Sequence, residues 1–178
     1  MTNVQPKTIS QGLRRVKQLK GQMAEFGSRA AACVSYEESQ KPVWAFGETR
    51  EKLRTTREQL VTLEAAIARA NATATVEIDG KRMTIAEAVR RLQETKAEIV
   101  WLQGLRLTEG VEKRRESEYD EATGRSVPRV TEVVHKTELK EVDRVADVER
   151  LRNYFDRLND AVETANHMTK IEWEVATA

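Results

Sequence analysis

This chain has little of the residue types that staple, break or stack a fold. It holds one cysteine, three prolines and eight glycines, and only 5% of its 178 residues are aromatic. The lone Cys33 excludes an intrachain disulfide and fits a reducing compartment. Set between Ala30-Ala31-Ala32 and Val34, it reads as a small buried residue rather than a nucleophile. No apolar run is long enough to span a bilayer. The stretch Ile9 to Met23 is interrupted by Arg and Lys and cannot be a signal-peptide core. A soluble, cytoplasmic protein with no membrane partner is expected. An excess of either charge is also missing: the net charge is +1, so no global field draws the chain to nucleic acid. P-loop, GxGxxG, HExxH and GxSxG signatures are absent as well, so no catalytic residues, no cofactor and no enzyme are expected. The two histidines, His135 and His167, have no neighbouring ligands at metal spacing, and no metal site is assigned.

What is present is helix-forming sequence and a repeat. Charged residues make up 33% and hydrophobic residues 39%. With so few breakers, that balance fits long, charge-faced helices better than a compact α/β enzyme. The segment Leu63 to Asn71, running on to Ile78, returns 95 positions later as Leu158 to Asn166, running on to Trp173. Leu63/Leu158, Ala66/Ala161, Ala70/Ala165, Asn71/Asn166 and Glu77/Glu172 are identical, and Ile67/Val162 and Val76/Ile171 are conservative pairs. Each copy reads as the last turns of an amphipathic helix, an Asn in the left-handed C-terminal conformation and a short extended tail. Two helices ending alike point to a pseudo-symmetric helical core.

Along the chain, residues 1–7 read as a flexible arm. Thr8 or Ser10 caps a first helix running to about Cys33, with Ile9, Leu13, Val16, Met23 and Ala30 on one stripe. Residues 34–47 form a loop whose Val43, Trp44 and Phe46 pack back on the helices or at a subunit contact. A second helix from about Glu48 to Ala70 carries Leu53, Thr56, Leu60, Leu63, Ile67 and Ala70 at coiled-coil spacing. Thr75 to Met83 is a hairpin with Asp79-Gly80 at its turn. Thr84 and Glu87 form a capping box for a third helix, which frays near Thr108 to Gly110. Residues 111–136 form a second, longer β-hairpin insertion around Gly124, with Pro128 at an edge. A fourth helix starts near Asp143 or Asp147. The fold expected is mainly α: an antiparallel four-helix coiled-coil-like bundle with one or two small β-hairpins, in a single helical domain spanning residues 1–178. Narrow apolar seams on long helices favour a homo-oligomer.

The chain resembles the septicolysin-like proteins, small and mostly uncharacterised proteins of bacteria and phages. The resemblance is best from Ile67 to Leu105, through Ala70-Asn71, Asp79-Gly80 and Met83-Thr84-Ile85-Ala86-Glu87-Ala88. It returns at Leu158, Val162, Asn166, Thr169 and Glu172. Arg114 to Val133 stands where the family has an Arg/Ser-rich strand running into valines, here longer and with an acidic tip at Asp120-Glu121. If the chain comes from a phage, the family's distribution implies sequestration of a host signalling nucleotide as its role.

The polar cluster that carries most chemistry is Arg106, Lys113, Arg114, Arg115, Arg125, Arg129 and Lys136, interleaved with Tyr119. Guanidinium forks bind phosphate bidentately, and an aromatic face stacks on a base. Arg106, Arg114, Arg115, Tyr119, Arg125, Arg129 and Lys136 are therefore the candidate ligand-binding residues. The interleaved Glu109, Glu112, Glu116, Glu118, Asp120 and Glu121 argue the other way, for salt-bridged hairpin flanks. The first reading of function is a non-enzymatic homo-oligomeric binding protein that holds a small anionic, nucleotide-like ligand in inter-subunit pockets. The alternative is a structural or assembly protein with no ligand. A third is a nucleic-acid-binding helix face at residues 7–29, where Lys7, Arg14, Arg15, Lys17, Lys20 and Arg29 meet only Glu25. The near-zero net charge counts against it, and nucleic acid is not an expected partner.

Overall fold

A computed structural model describes residues 8–122 and 124–173. The expected flexible arm at residues 1–7 lies outside the described residues. Element order is α1 (Ile9–Ala32), α2 (Phe46–Thr73), β1 (Thr75–Ile78), β2 (Lys81–Thr84), α3 (Ile85–Gly104), β3 (Gly110–Asp120), β4 (Arg125–His135) and α4 (Glu141–Met168). The chain divides into two compact units, Met1–Gln93 with Asp156–Ala178, and Glu94–Phe155.

In the first unit α1 and α2 run antiparallel. Thr8 caps α1, its hydroxyl accepting from the Gln11 N–H. Gly12 lets the helices close: a Cβ there would stand 2.8 Å from Ile171 Cδ1 and 3.2 Å from Ile67 Cδ1. Farther along, Lys20 pairs with Glu64 at 2.8 Å. Of the expected α2 seam, Thr56, Leu60, Leu63 and Ile67 are buried, and Leu53 and Ala70 at its ends are half-buried. The residues that cover it differ from those expected. Val76, Ile78 and Met83 of the first hairpin are buried, and so are Ile171 and Trp173 of the C-terminal tail. The Trp173 indole N–H donates to Thr62 Oγ1 at 3.0 Å, and the tail bridges Thr8 through Lys170.

This corrects the expected fold class. The molecule is not an antiparallel four-helix coiled-coil-like bundle. Among the described residues it has four helices and two antiparallel hairpins interleaved along the chain, a mixed α and β architecture. α1 and α2 form the helix pair in closest contact. Extended segments supply apolar cover that a bundle would draw from its other helices. The second hairpin, with two 11-residue strands, is an element in its own right rather than a decoration.

The repeat marks core positions. Leu63 and Leu158 are both fully buried, and Ile67 with Val162 and Val76 with Ile171 are buried in kind. The two tails do not pair with each other: the first forms β1 with β2, the second meets Thr8. The repeat Asn residues do not close their helices. Asn71 lies inside α2, which continues to Thr73 and ends on an extended Ala74, and Asn166 lies inside α4. Among the described non-glycine residues, positive φ is recorded for Asp79 at 50°; Gly80 follows at 72°. These two form a primed turn that matches the twist of the strands. The Arg157 guanidinium forks onto Asp79 at 2.7 and 3.2 Å, tying α4 to that turn.

In the second unit Thr95, Leu102 and Val148 are buried, and Arg144 donates to the Leu105 carbonyl at 2.9 Å. At the start of α3 the Thr84 half of the expected capping box forms, its hydroxyl accepting from the Glu87 N–H at 3.1 Å, while the Glu87 carboxylate is drawn to Arg91 at 2.8 Å. No helix among the described residues is long and apolar enough to cross a membrane.

Candidate functional site

The seven candidate residues all fall in the second unit, on or beside the β3–β4 ribbon. Its register sets Arg114 opposite Thr131, Arg115 opposite Val130, Glu116 opposite Arg129, Tyr119 opposite Ser126 and Asp120 opposite Arg125. Side chains alternate across a strand, and directly opposed residues share a face. One face therefore carries Arg114, Arg125 and Arg129 among Glu112, Glu116, Glu118, Val127 and Val133. The other carries Arg115 and Tyr119 with Val111, Lys113, Val130, Glu132 and Val134. The cluster that is continuous in sequence is split in space. Arg106 lies in the connection after α3 and Lys136 directly follows β4, at the base of the ribbon.

Distance divides the cluster further. At about 3.3 Å per residue, Arg115 and Tyr119 stand roughly 13 Å apart along β3, and Arg129 and Arg125 roughly the same along β4. One phosphate cannot touch all of them within a single chain.

The acids engage part of the set. Arg129 Nη1 meets Glu118 at 2.9 Å, Arg114 Nε lies 4.0 Å from Glu112, and Lys113 Nζ 3.6 Å from Glu132. The same Glu112 holds His135 Nε2 at 2.9 Å. No ion pair is recorded among the described residues for Arg106, Arg115, Arg125 or Lys136. All four are exposed, as is Tyr119. At the tip, a Cβ on Gly124 would lie 3.9 Å from the Tyr119 hydroxyl. Gly124 has φ 63°, which suits a residue without a side chain.

Open hollows elsewhere are lined by other residues. One of about 480 Å³ lies between α1 and α2, beside Phe26, Glu48, Glu51 and Lys52. There the Arg54 guanidinium hydrogen-bonds Glu51 and holds its carboxyl below the usual carboxylate range, an exposed pair on one helix. A second of about 470 Å³ is lined by Gln103, Arg144, Val148, Glu149 and Arg152. A third of about 500 Å³ runs between β1 and the last turns of α4, with Glu77 and Asp160 on its walls. The sequence reading missed this third hollow. It registered Thr75 to Ile78 as a strand, but a strand's free edge is a property of tertiary placement.

The loop aromatics take mixed positions. Arg29 stacks over the Trp44 ring at 4.9 Å, so Trp44 does pack back on α1. Val43 stays 90% exposed. Cys33 is buried, as its neighbours imply.

No protein-family model, curated protein or solved structure matches this chain.

Proposed function

We propose that the protein is a non-enzymatic, homo-oligomeric binding protein that holds a small anionic, nucleotide-like ligand where a second copy meets the β3–β4 ribbon. The observation that carries this reading is the set of exposed cations for which no intramolecular ion pair is recorded. Arg106, Arg115, Arg125 and Lys136 stay open on an arm whose other cations are drawn to Glu112, Glu118 and Glu132. Their separation along the ribbon supports a pocket completed by another subunit rather than one closed within a single chain. Tyr119 offers a ring face for a base near the ribbon tip. The resemblance to septicolysin-like proteins belongs to this proposal, as does the role it implies for a phage protein: sequestering a host signalling nucleotide.

Calorimetric titration against mono-, di- and cyclic nucleotides tests the reading. Binding at low salt that weakens as salt rises is the expected result. No heat from any member of the panel at low salt contradicts it.

The second reading is a structural or assembly protein without a ligand. Val111, Val130 and Val134 favour it, because they are exposed on one face of the ribbon. An apolar stripe of that kind fits a protein contact better than a phosphate.

A further inference from the structure

The hollow between β1 and α4 has the form of a strand-accepting groove. Among the described residues β1 and β2 make a two-stranded sheet, so β1 has one free edge there. Ile78 and Lys81 flank a two-residue primed turn. That pair exchanges both backbone hydrogen bonds, and the pattern alternates along an antiparallel ladder. The N–H and C=O groups of Glu77 and Thr75 therefore point away from β2, toward the groove. Its opposite wall is the last turns of α4. Asp160, Ala161, Thr164, Ala165 and Met168 line it, and Val76 is buried at its floor. The two alanines leave room for a backbone to approach the helix. Among the described residues, the lining holds two carboxylates, Glu77 and Asp160, and no cation. An extended segment laid against an open strand edge beside a helix is a recurring mode of peptide recognition, with backbone hydrogen bonds giving affinity and alternate side chains giving specificity.

The same chain carries a matching strand. Pro128 sits opposite Ser117 in the β3–β4 register. Proline has no N–H, so this pair must be a non-hydrogen-bonded one, and Pro128 nitrogen faces the free edge of β4. That edge is blunted. By alternation, Val111, Lys113, Arg115 and Ser117 turn their backbone groups to the free edge of β3, which no proline interrupts. At its centre β3 carries Lys113-Arg114-Arg115; among the described residues Lys113 and Arg114 make long, exposed ion pairs of 3.6 and 4.0 Å. Pairing β3 with another β3 about a two-fold axis gives mixed charge contacts: centred on Arg115, Arg115 meets Arg115 and Glu112 meets Glu118, while Arg114 meets Glu116.

We infer that the groove between β1 and α4 accepts the free edge of β3 from a second copy of this chain. In an antiparallel register that sets Lys113 opposite Glu77, Arg114 falls beside Val76 and faces the wall that carries Asp160. The contact leaves Arg106, Arg125 and Lys136 outside the paired strands and sets Arg115 opposite Thr75. Groove and strand are different surfaces, so the contact is repeated reciprocally in a pair, around a ring or along an open filament. The inference rests on the homo-oligomeric reading and names its interface.

The test is sedimentation velocity on the full chain over a concentration series, with circular dichroism to confirm folding. Lys113→Pro removes an outward N–H and leaves the β3–β4 ladder intact, and it abolishes this association. Glu77→Lys and Lys113→Glu each weaken it by about fivefold or more, since opposed charges across strands become like charges. The double variant Glu77→Lys with Lys113→Glu recovers most of the loss. Wild-type association that persists unchanged in every variant overturns the interface and leaves the oligomer standing. A wild-type monomer at every concentration overturns both.

Discussion

Asp79 concentrates two effects in one side chain. It occupies a left-handed backbone position, which Asp tolerates better than most residues, and it receives the Arg157 fork. The fork is exposed, so the backbone effect dominates. Asp79→Ala is expected to lower stability by about 1–2 kcal/mol, and Asp79→Asn by less than half of that. Thermal unfolding of the two variants checks the order. Glycines give a second comparison. Gly21 has open space around its α-carbon, and Gly21→Ala should stabilise α1 by about 0.5–1 kcal/mol. Gly12 faces buried Ile67 and Ile171, and Gly12→Val should destabilise by about 1–3 kcal/mol through overpacking. Equal shifts for both would remove the argument that Gly12 sets the α1–α2 spacing. At this scale the sequence was readable where chemistry is local. Thr8, Thr84 and the Asp79-Gly80 turn act as their residue types require. The Asn71 and Asn166 expectation failed because a helix ends where the next element takes over the chain. The chain turns extended only at Ala74, just before β1, so the helix absorbs Asn71.

The β3–β4 ribbon is the element on which function is argued. Isolated two-stranded hairpins are marginal in water, and this one exposes nearly every residue beyond its base. Its charges sort into engaged and open groups. Arg115→Ala and Arg125→Ala should each weaken nucleotide-like ligand binding by roughly ten- to a hundredfold, since charge-assisted hydrogen bonds contribute about 1.5–3 kcal/mol each. Arg129→Ala should weaken it less, because Glu118 already draws that guanidinium away. Lysine at 115 or 125 should rescue only part of the loss, as the planar fork is gone. Calorimetry against the tightest nucleotide of the panel reads these differences. The hairpin itself was legible from the Gly124 turn and the valine run, with bounds within a residue of those found. The division of its arginines between two faces was not, because it depends on register, and a shift of one residue exchanges every side chain between faces.

At the scale of the molecule, the exposed apolar side chains are the fact that most needs explaining. Exposed Val34, Tyr36, Val43, Val100, Trp101, Val142 and Met168 are spread over both units. Amphipathic periodicity announced the helices and their seams, but not their neighbours. A seam specifies that something apolar covers it, and here hairpin strands and the C-terminal tail serve where helices were expected. Leu63→Ala and Leu158→Ala, at equivalent fully buried repeat positions, should each cost about 2–5 kcal/mol. The central claim, that this chain works as an assembly of copies, is tested most directly by native mass spectrometry at about 1 µM. The account predicts masses at integer multiples of 20.3 kDa above one, with a retained small anion in material not stripped of ligand. A folded monomer at 20.3 kDa as the dominant species would contradict it.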